Sequence, residues 1–172
     1  MKRVVIVTGK NVQDHEFIYP FYRLQESGFH VDVATDGGLE VMGQLGAARV
    51  VPTLDIANLN VADFSALVLP GGAKCMEYLR QDGRVIDFVA KFNESGKVIG
   101  SICHAAQLLI SAKIVRGRRL SGYYSLKDDI ENAGASFVDE PVVIDGNLIS
   151  TAHYKHLAPW MKSVCDASMI QG

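Results

Sequence analysis

Gly96-Lys97-Val98-Ile99-Gly100-Ser101-Ile102-Cys103-His104-Ala105-Ala106-Gln107 passes from an apolar run straight into a helix-forming run. The pattern predicts a buried strand over residues 97–102 and a helix over 104–112, with Cys103 at the corner. A strand that turns sharply into a helix lifts the corner side chain out at the top of a sheet, the arrangement of a nucleophile elbow. Gly100, Ala105 and Ala106 are small, as the crowded flanks of such a turn require. A cysteine just ahead of a helix meets free backbone amides and the positive end of the dipole. Both favour thiolate, so a lowered thiol pKa is expected. A lone cysteine is more often core filler, and Cys75 and Cys165 are read that way.

The rest of the chain alternates in the same manner. Residues 3–8, 30–35 and 66–69 are strand-like runs, and residues 14–27 and 84–95 are helix-like. Phe17, Tyr22 and Leu24 are expected near one face of the first helix, with Gly28 as its stop. Asp36-Gly37-Gly38 opens a hairpin excursion that ends at Pro52, and Pro70-Gly71-Gly72 ends the third strand. Beyond the elbow, a helix over 127–133, short strands over 136–138, 142–144 and 148–151, and a terminal helix over 157–169 complete the pattern. Alternating strands and helices imply an α/β fold: one domain over residues 1–172, a doubly wound, mostly parallel sheet covered on both faces. Ligands of such a sheet sit beyond the carboxyl ends of its strands. The loops after residues 8 and 69 and the turn at Cys103 fall at that edge.

Two further segments at this edge bear on chemistry. Gly71 and Gly72 let backbone approach a ligand closely, and the N–H groups of Gly72 and His104 are candidate oxyanion donors. The His104 imidazole is a candidate general base and acid. Asp14-His15-Glu16-Phe17 opens the first helix, and a protonated Glu16 near Cys103 would donate a hydrogen bond to the thiolate.

Composition narrows the function classes. Lys plus Arg number 17 against 19 Asp plus Glu, a net charge of −2, so no nucleic-acid partner is expected. No apolar run approaches the roughly 20 residues of a membrane helix. Met1-Lys2-Arg3-Val4 begins a strand rather than a signal peptide, and a cytoplasmic location is expected. The three cysteines lack a CxxC pair and fit a reducing compartment. Thr8-Gly9-Lys10 lacks P-loop spacing, and His153 and His156 lack companions for a metal, so no cofactor is predicted.

Taken in order, Glu16-Phe17-Ile18-Tyr19-Pro20, Ala66 through Gly72, Ser101-Ile102-Cys103-His104 and Lys127 through Gly134 resemble the ThiJ/PfpI family, within the class I glutamine-amidotransferase-like, flavodoxin-like fold. The likeness is to its PfpI branch and covers nearly the whole chain. It implies Cys103 as nucleophile, His104 as its partner and Glu16 as the carboxyl that holds the thiolate. It implies that a glutamate from a neighbouring subunit completes the triad, matching Glu77 here, and so a dimer or hexamer. Tyr123 falls where that branch places a tyrosine near the cysteine. The chain also departs from the pattern: Gln13 replaces an acidic residue, Ala105-Ala106 replace Gly-Pro, and Ala152-His153 stand where an arginine is usual. The implied activities are peptide hydrolysis, or glyoxalase and deglycase chemistry on small carbonyl compounds. A stress sensor or holdase that works by oxidation of Cys103 is the alternative. An ammonia-transferring glutaminase fits poorly, because no His-x-Glu pair occurs near the C-terminus.

Overall fold

The computed structural model describes residues 1–171. Its strands and α-helices, in chain order, are β1 (Arg3–Val7), α1 (Asp14–Glu26), β2 (His30–Thr35), β3 (Val41–Met42), β4 (Arg49–Val50), β5 (Leu54–Asp55), β6 (Ala66–Leu69), α2 (Ala73–Leu79), α3 (Gly83–Glu94), β7 (Val98–Ile102), α4 (Ala106–Ser111), β8 (Arg119–Leu120), α5 (Lys127–Asn132), β9 (Ser136–Phe137), β10 (Val143–Asp145), β11 (Leu148–Thr151) and α6 (Leu157–Ile170). Among the described residues seven strands form the main sheet, in the order β10-β11-β7-β6-β1-β2-β5. Neighbours run parallel except β10 and β11, the antiparallel edge pair. The expected doubly wound α/β sheet is therefore the one observed. α1 packs on α6, and α3 on α4, so the helices flank the sheet in groups.

β1 and β6 lie inside the sheet and read as continuous apolar runs because both their faces are covered. Val4 to Val7 and Ala66 to Leu69 are wholly buried. α6 closes on β7 through Gly100, where a Cβ would lie 2.9 Å from Val164 Cγ2. Gly100 is thus small for helix packing rather than for the turn. The indole of Trp160 on α6 donates from Nε1 to the Ile149 carbonyl of β11 at 3.0 Å, which satisfies the polar end of a wholly buried ring.

Some expectations need correction. Tyr22 is exposed, because at 100° per residue it lies about 140° round the helix from Phe17. Glu16, Pro20 and Leu24, spaced by four, are on the buried face instead. The helix expected from His104 begins as a 3-10 turn over Cys103–Ala105, and α4 follows it. α2, β5 and β8 were not anticipated: each is short and lacks a periodic apolar pattern. The hairpin excursion after β2 is present as β3 and β4. No helix among the described residues is long and apolar enough to cross a membrane.

Register positions the site. Leu69 of β6 lies opposite Ser101 of β7. Gly71 and Cys103, each two residues further on, therefore leave the sheet side by side. A Cβ on Gly71 would stand 2.8 Å from the Cys103 Cβ.

Candidate active site

Cys103 has φ +61°, a left-handed conformation that costs a side-chain-bearing residue about 1–2 kcal/mol. The surroundings hold it there. Five residues of β7 fix the chain before it, and its carbonyl accepts the Tyr123 N–H at 3.0 Å. The strained turn points the thiol at the carboxyl edge of the sheet, where Cys103 is only 6% exposed. His104 Nδ1 lies 3.2 Å from Sγ. The backbone N–H groups of His104 and Gly72 also act on the sulfur. Gly72 has φ +105°, and a Cβ there would meet Asn11 O at 2.7 Å and Gln13 N at 2.8 Å. Only glycine fits both the angle and the space.

Glu16 reaches the same sulfur from α1. Gln13 caps that helix, its side-chain oxygen accepting the Glu16 N–H at 3.0 Å. Gln13, read as standing where the resemblance implies an acid, thus serves as the helix cap. Glu16 is wholly buried, and its Oε2 accepts the Gly71 N–H at 2.8 Å. Burial pushes its carboxyl up to about 7, although the Gly71 N–H and Cys103 favour the charged form. Oε1 is buried with no partner of ordinary hydrogen-bond geometry. With Oε2 occupied as an acceptor, the proton of the neutral acid belongs on Oε1, free to donate a hydrogen bond to sulfur.

The expectation of a lowered thiol pKa is reversed. Burial pushes the Cys103 thiol up, and an ionised Glu16 pushes it further. The amides of His104 and Gly72 pull the other way without overcoming this. The sequence shows a helix start but not the depth of the thiol, and α4 has only six residues to supply a dipole. Burial likewise holds the His104 imidazole below its ordinary value, so it is neutral at pH 7 and able to accept a proton. Protonating Glu16 removes its negative charge from beside the sulfur.

The raised Glu16 carboxyl has a consequence for stability. Its pKa is higher in the fold than in the unfolded chain, so its contribution is fully present below 4.5 and is lost as pH rises to about 7. At about 1.4 kcal/mol per pH unit, the loss is about 3 kcal/mol. Urea unfolding of the native protein and of Glu16→Gln at pH 4.5, 6 and 8 should show the native protein losing about that much relative to the variant.

The cleft around Cys103 has a volume of about 240 Å³. Tyr123, placed there by the resemblance, stacks on His104 with ring centroids 4.5 Å apart. Glu77 does not line the cleft of its own chain; it sits on α2, 56% exposed, paired with Lys74 at 2.7 Å. Gln44 and Tyr154, which no sequence signal marks, line the cleft, and so does His153. Gln44 arrives on the β3–β4 turn, which buried Asp14 grips by accepting the N–H groups of Leu45, Ala47 and Ala48 at 2.8, 2.8 and 2.6 Å. Burial opposes the Asp14 charge, but those amides hold its carboxyl below the ordinary value. An acidic residue in a first helical turn was the available signal, and it is too common to mark a clamp. His156 starts α6 and is not part of the cleft wall.

Residues 2–167 match the DJ-1/PfpI family. The chain belongs to that family. A deglycase of Pyrococcus abyssi is 40% identical over 160 residues, 93% of this chain and 95% of its own length. Deglycase PfpI of Pyrococcus furiosus is 35% identical over 161 residues, with the same coverage of both chains. Among solved structures, a two-domain protein of Anabaena variabilis with DJ-1/ThiJ/PfpI-like and ferritin-like domains superposes with a TM-score of 0.94 at 30% identity. The whole of this chain is covered, and it spans 49% of that longer protein. The PfpI-type likeness read from the elbow, the Gly71-Gly72 loop and the Glu16 helix thus holds along nearly the whole sequence.

Proposed function

We propose that this protein is a cysteine-dependent hydrolase that acts on small carbonyl adducts, in the manner of a deglycase. The observation that carries the reading is the convergence around one sulfur of a neutral imidazole, two backbone N–H groups and a buried carboxyl whose pKa is pushed up to about 7. The thiol proton passes to His104 Nδ1 as sulfur adds to the carbonyl carbon, and the C=O π pair moves to oxygen. The N–H groups of Gly72 and His104 hold that oxyanion. The amine leaves with the proton of the carbinol hydroxyl and so exposes that carbonyl. His104 returns its proton to the oxyanion, the hydrogen on the sulfur-bearing carbon shifts to the neighbouring ketone carbon, and water hydrolyses the resulting 2-hydroxyacyl thioester, freeing the acid and restoring the Cys103 thiol. Because burial makes the free thiolate costly, the thiol loses its proton at attack rather than beforehand. Glu16, in its neutral form, keeps its Oε1 proton and donates a hydrogen bond to sulfur, which steadies the charge as it forms.

A cleft of about 240 Å³ suits a small adduct better than a folded polypeptide. A shared site, with Glu77 of one copy serving Cys103 of another in a dimer or hexamer, is part of the proposal, since Glu77 is exposed and absent from its own cleft. A second reading, oxidation sensing at Cys103, draws on the same donors, which would hold the oxygens of a sulfinic acid. Lactate release from a methylglyoxal adduct of N-acetyl-lysine, measured beside cleavage of labelled casein, separates the possibilities. Lactate without casein cleavage is the expected result. Casein cleavage alone makes the protein a peptidase. Neither activity, with oxygen gained at Cys103 under dilute peroxide, makes it a sensor.

A further inference from the structure

The cleft beside Cys103 has an aromatic wall and no fixed positive charge. Tyr123, already stacked on His104, faces His153 with centroids 6.4 Å apart and planes 25° from parallel. His153 in turn lies 4.0 Å from the ring of Tyr154, which stacks on His15 at 5.0 Å. Two stacks therefore frame the opening, each ring braced by another. Among the described residues no lysine or arginine lines the cleft. Lys155 is held over the Tyr124 ring at 5.3 Å instead. Burial, then the charges of Lys155 and His156, keep His153 below its ordinary pKa, so this ring too is neutral at pH 7.

We propose that Tyr123 and His153 are specificity-determining residues that select carbonyl substrates with a flat, uncharged non-reacting end over substrates that carry a carboxylate. Flat groups gain by stacking on braced rings, which lose no further freedom on binding. A carboxylate entering this cleft sheds water and finds no cation to replace it. This deepens the reading of Cys103 as the reacting group and rests on it.

The backbone gives a way to separate the His153 ring from its other role. His153 Nδ1 also accepts the Lys155 N–H at 3.1 Å, capping the turn before α6. Asparagine can keep that cap without the ring, and phenylalanine keeps a ring without the cap. The test compares kcat/KM for two 2-oxoaldehydes, phenylglyoxal and the carboxylate-bearing 4,5-dioxopentanoate, in the native protein, His153→Asn and His153→Phe. The native protein should favour phenylglyoxal at least tenfold, His153→Phe should keep that ratio, and His153→Asn should bring it below about threefold. A native ratio near one or reversed overturns the proposal, as does a ratio kept by His153→Asn and lost by His153→Phe. If the native protein turns over neither compound, the Cys103 reading has failed. Titration of Cys103→Ala with acetophenone and with pyruvate, followed by NMR, then decides the specificity separately. Saturable acetophenone binding weakened at least fivefold by adding His153→Asn supports the proposal, and equal or tighter pyruvate binding sinks it.

Discussion

Cys103→Ser is expected to lower turnover of a small carbonyl adduct by at least about a thousandfold while leaving the fold in place. Serine has nearly the same shape and meets the same φ of +61°, so backbone strain is unchanged. Its hydroxyl is far less acidic than a thiol. The neutral His104 would have to take a proton from a poorer donor, and the charge would sit on a smaller oxygen displaced from the Gly72 and His104 amides. Unfolding free energy should move by no more than about 1 kcal/mol. Steady-state lactate release and urea unfolding on the same preparations check both halves. Retention of more than a tenth of the native rate would remove Cys103 from the chemistry.

Gly72→Ala should have a large effect on stability, because it adds a clash to an unfavourable backbone angle. The new Cβ meets two backbone atoms, Asn11 O at 2.7 Å and Gln13 N at 2.8 Å, and neither belongs to a side chain that can swing away. The positive φ adds about 1–2 kcal/mol, and the clash about 1–3 kcal/mol, so a loss of roughly 2–5 kcal/mol is expected. Asn11 and Gln13 lie on the stretch that leads into α1, so relief of the clash moves Glu16 or tilts the Gly72 N–H. Turnover should fall by about a hundredfold or more, the usual consequence of losing an oxyanion donor. Gly46→Ala is the internal control: its φ is +74° but nothing lies within 4 Å of the added carbon. It should cost only the conformational part, about 1–2 kcal/mol, with turnover unchanged. Thermal unfolding and kinetics on the two variants separate crowding from backbone angle.

What the sequence made legible follows from which forces are local. The corner at Cys103 could be read because an apolar strand and a helix abut without a loop. The Gly71-Gly72 turn could be read because glycines end a strand. Their adjacency could not, since it depends on Leu69 pairing with Ser101 across two strands. The direction of the Cys103 titration was missed for the same reason: burial comes from segments distant in sequence, and it outweighs the local dipole. α2 was missed because it starts at a glycine with no side-chain cap and runs only seven residues. Gln44 reaches the cleft by way of Asp14, thirty residues earlier, a contact that leaves no periodicity. Glu77 was assigned by resemblance alone, and the single chain leaves it on its outer surface.

Asp14 and Glu16 occupy one turn of α1; the first grips the β3–β4 hairpin and the second bonds to Gly71 beside the thiol. A change in hairpin length is thereby geared to the reacting atoms through less than one helical repeat. Insertions between Gly43 and Ala48 should thus be scarce among natural variants, while the exposed pair Ala57-Asn58, which has no such linkage, is free to grow. Diversification of this protein would then proceed by exchanging side chains on a hairpin of fixed length, with Gln44 the position at which such exchange meets the cleft.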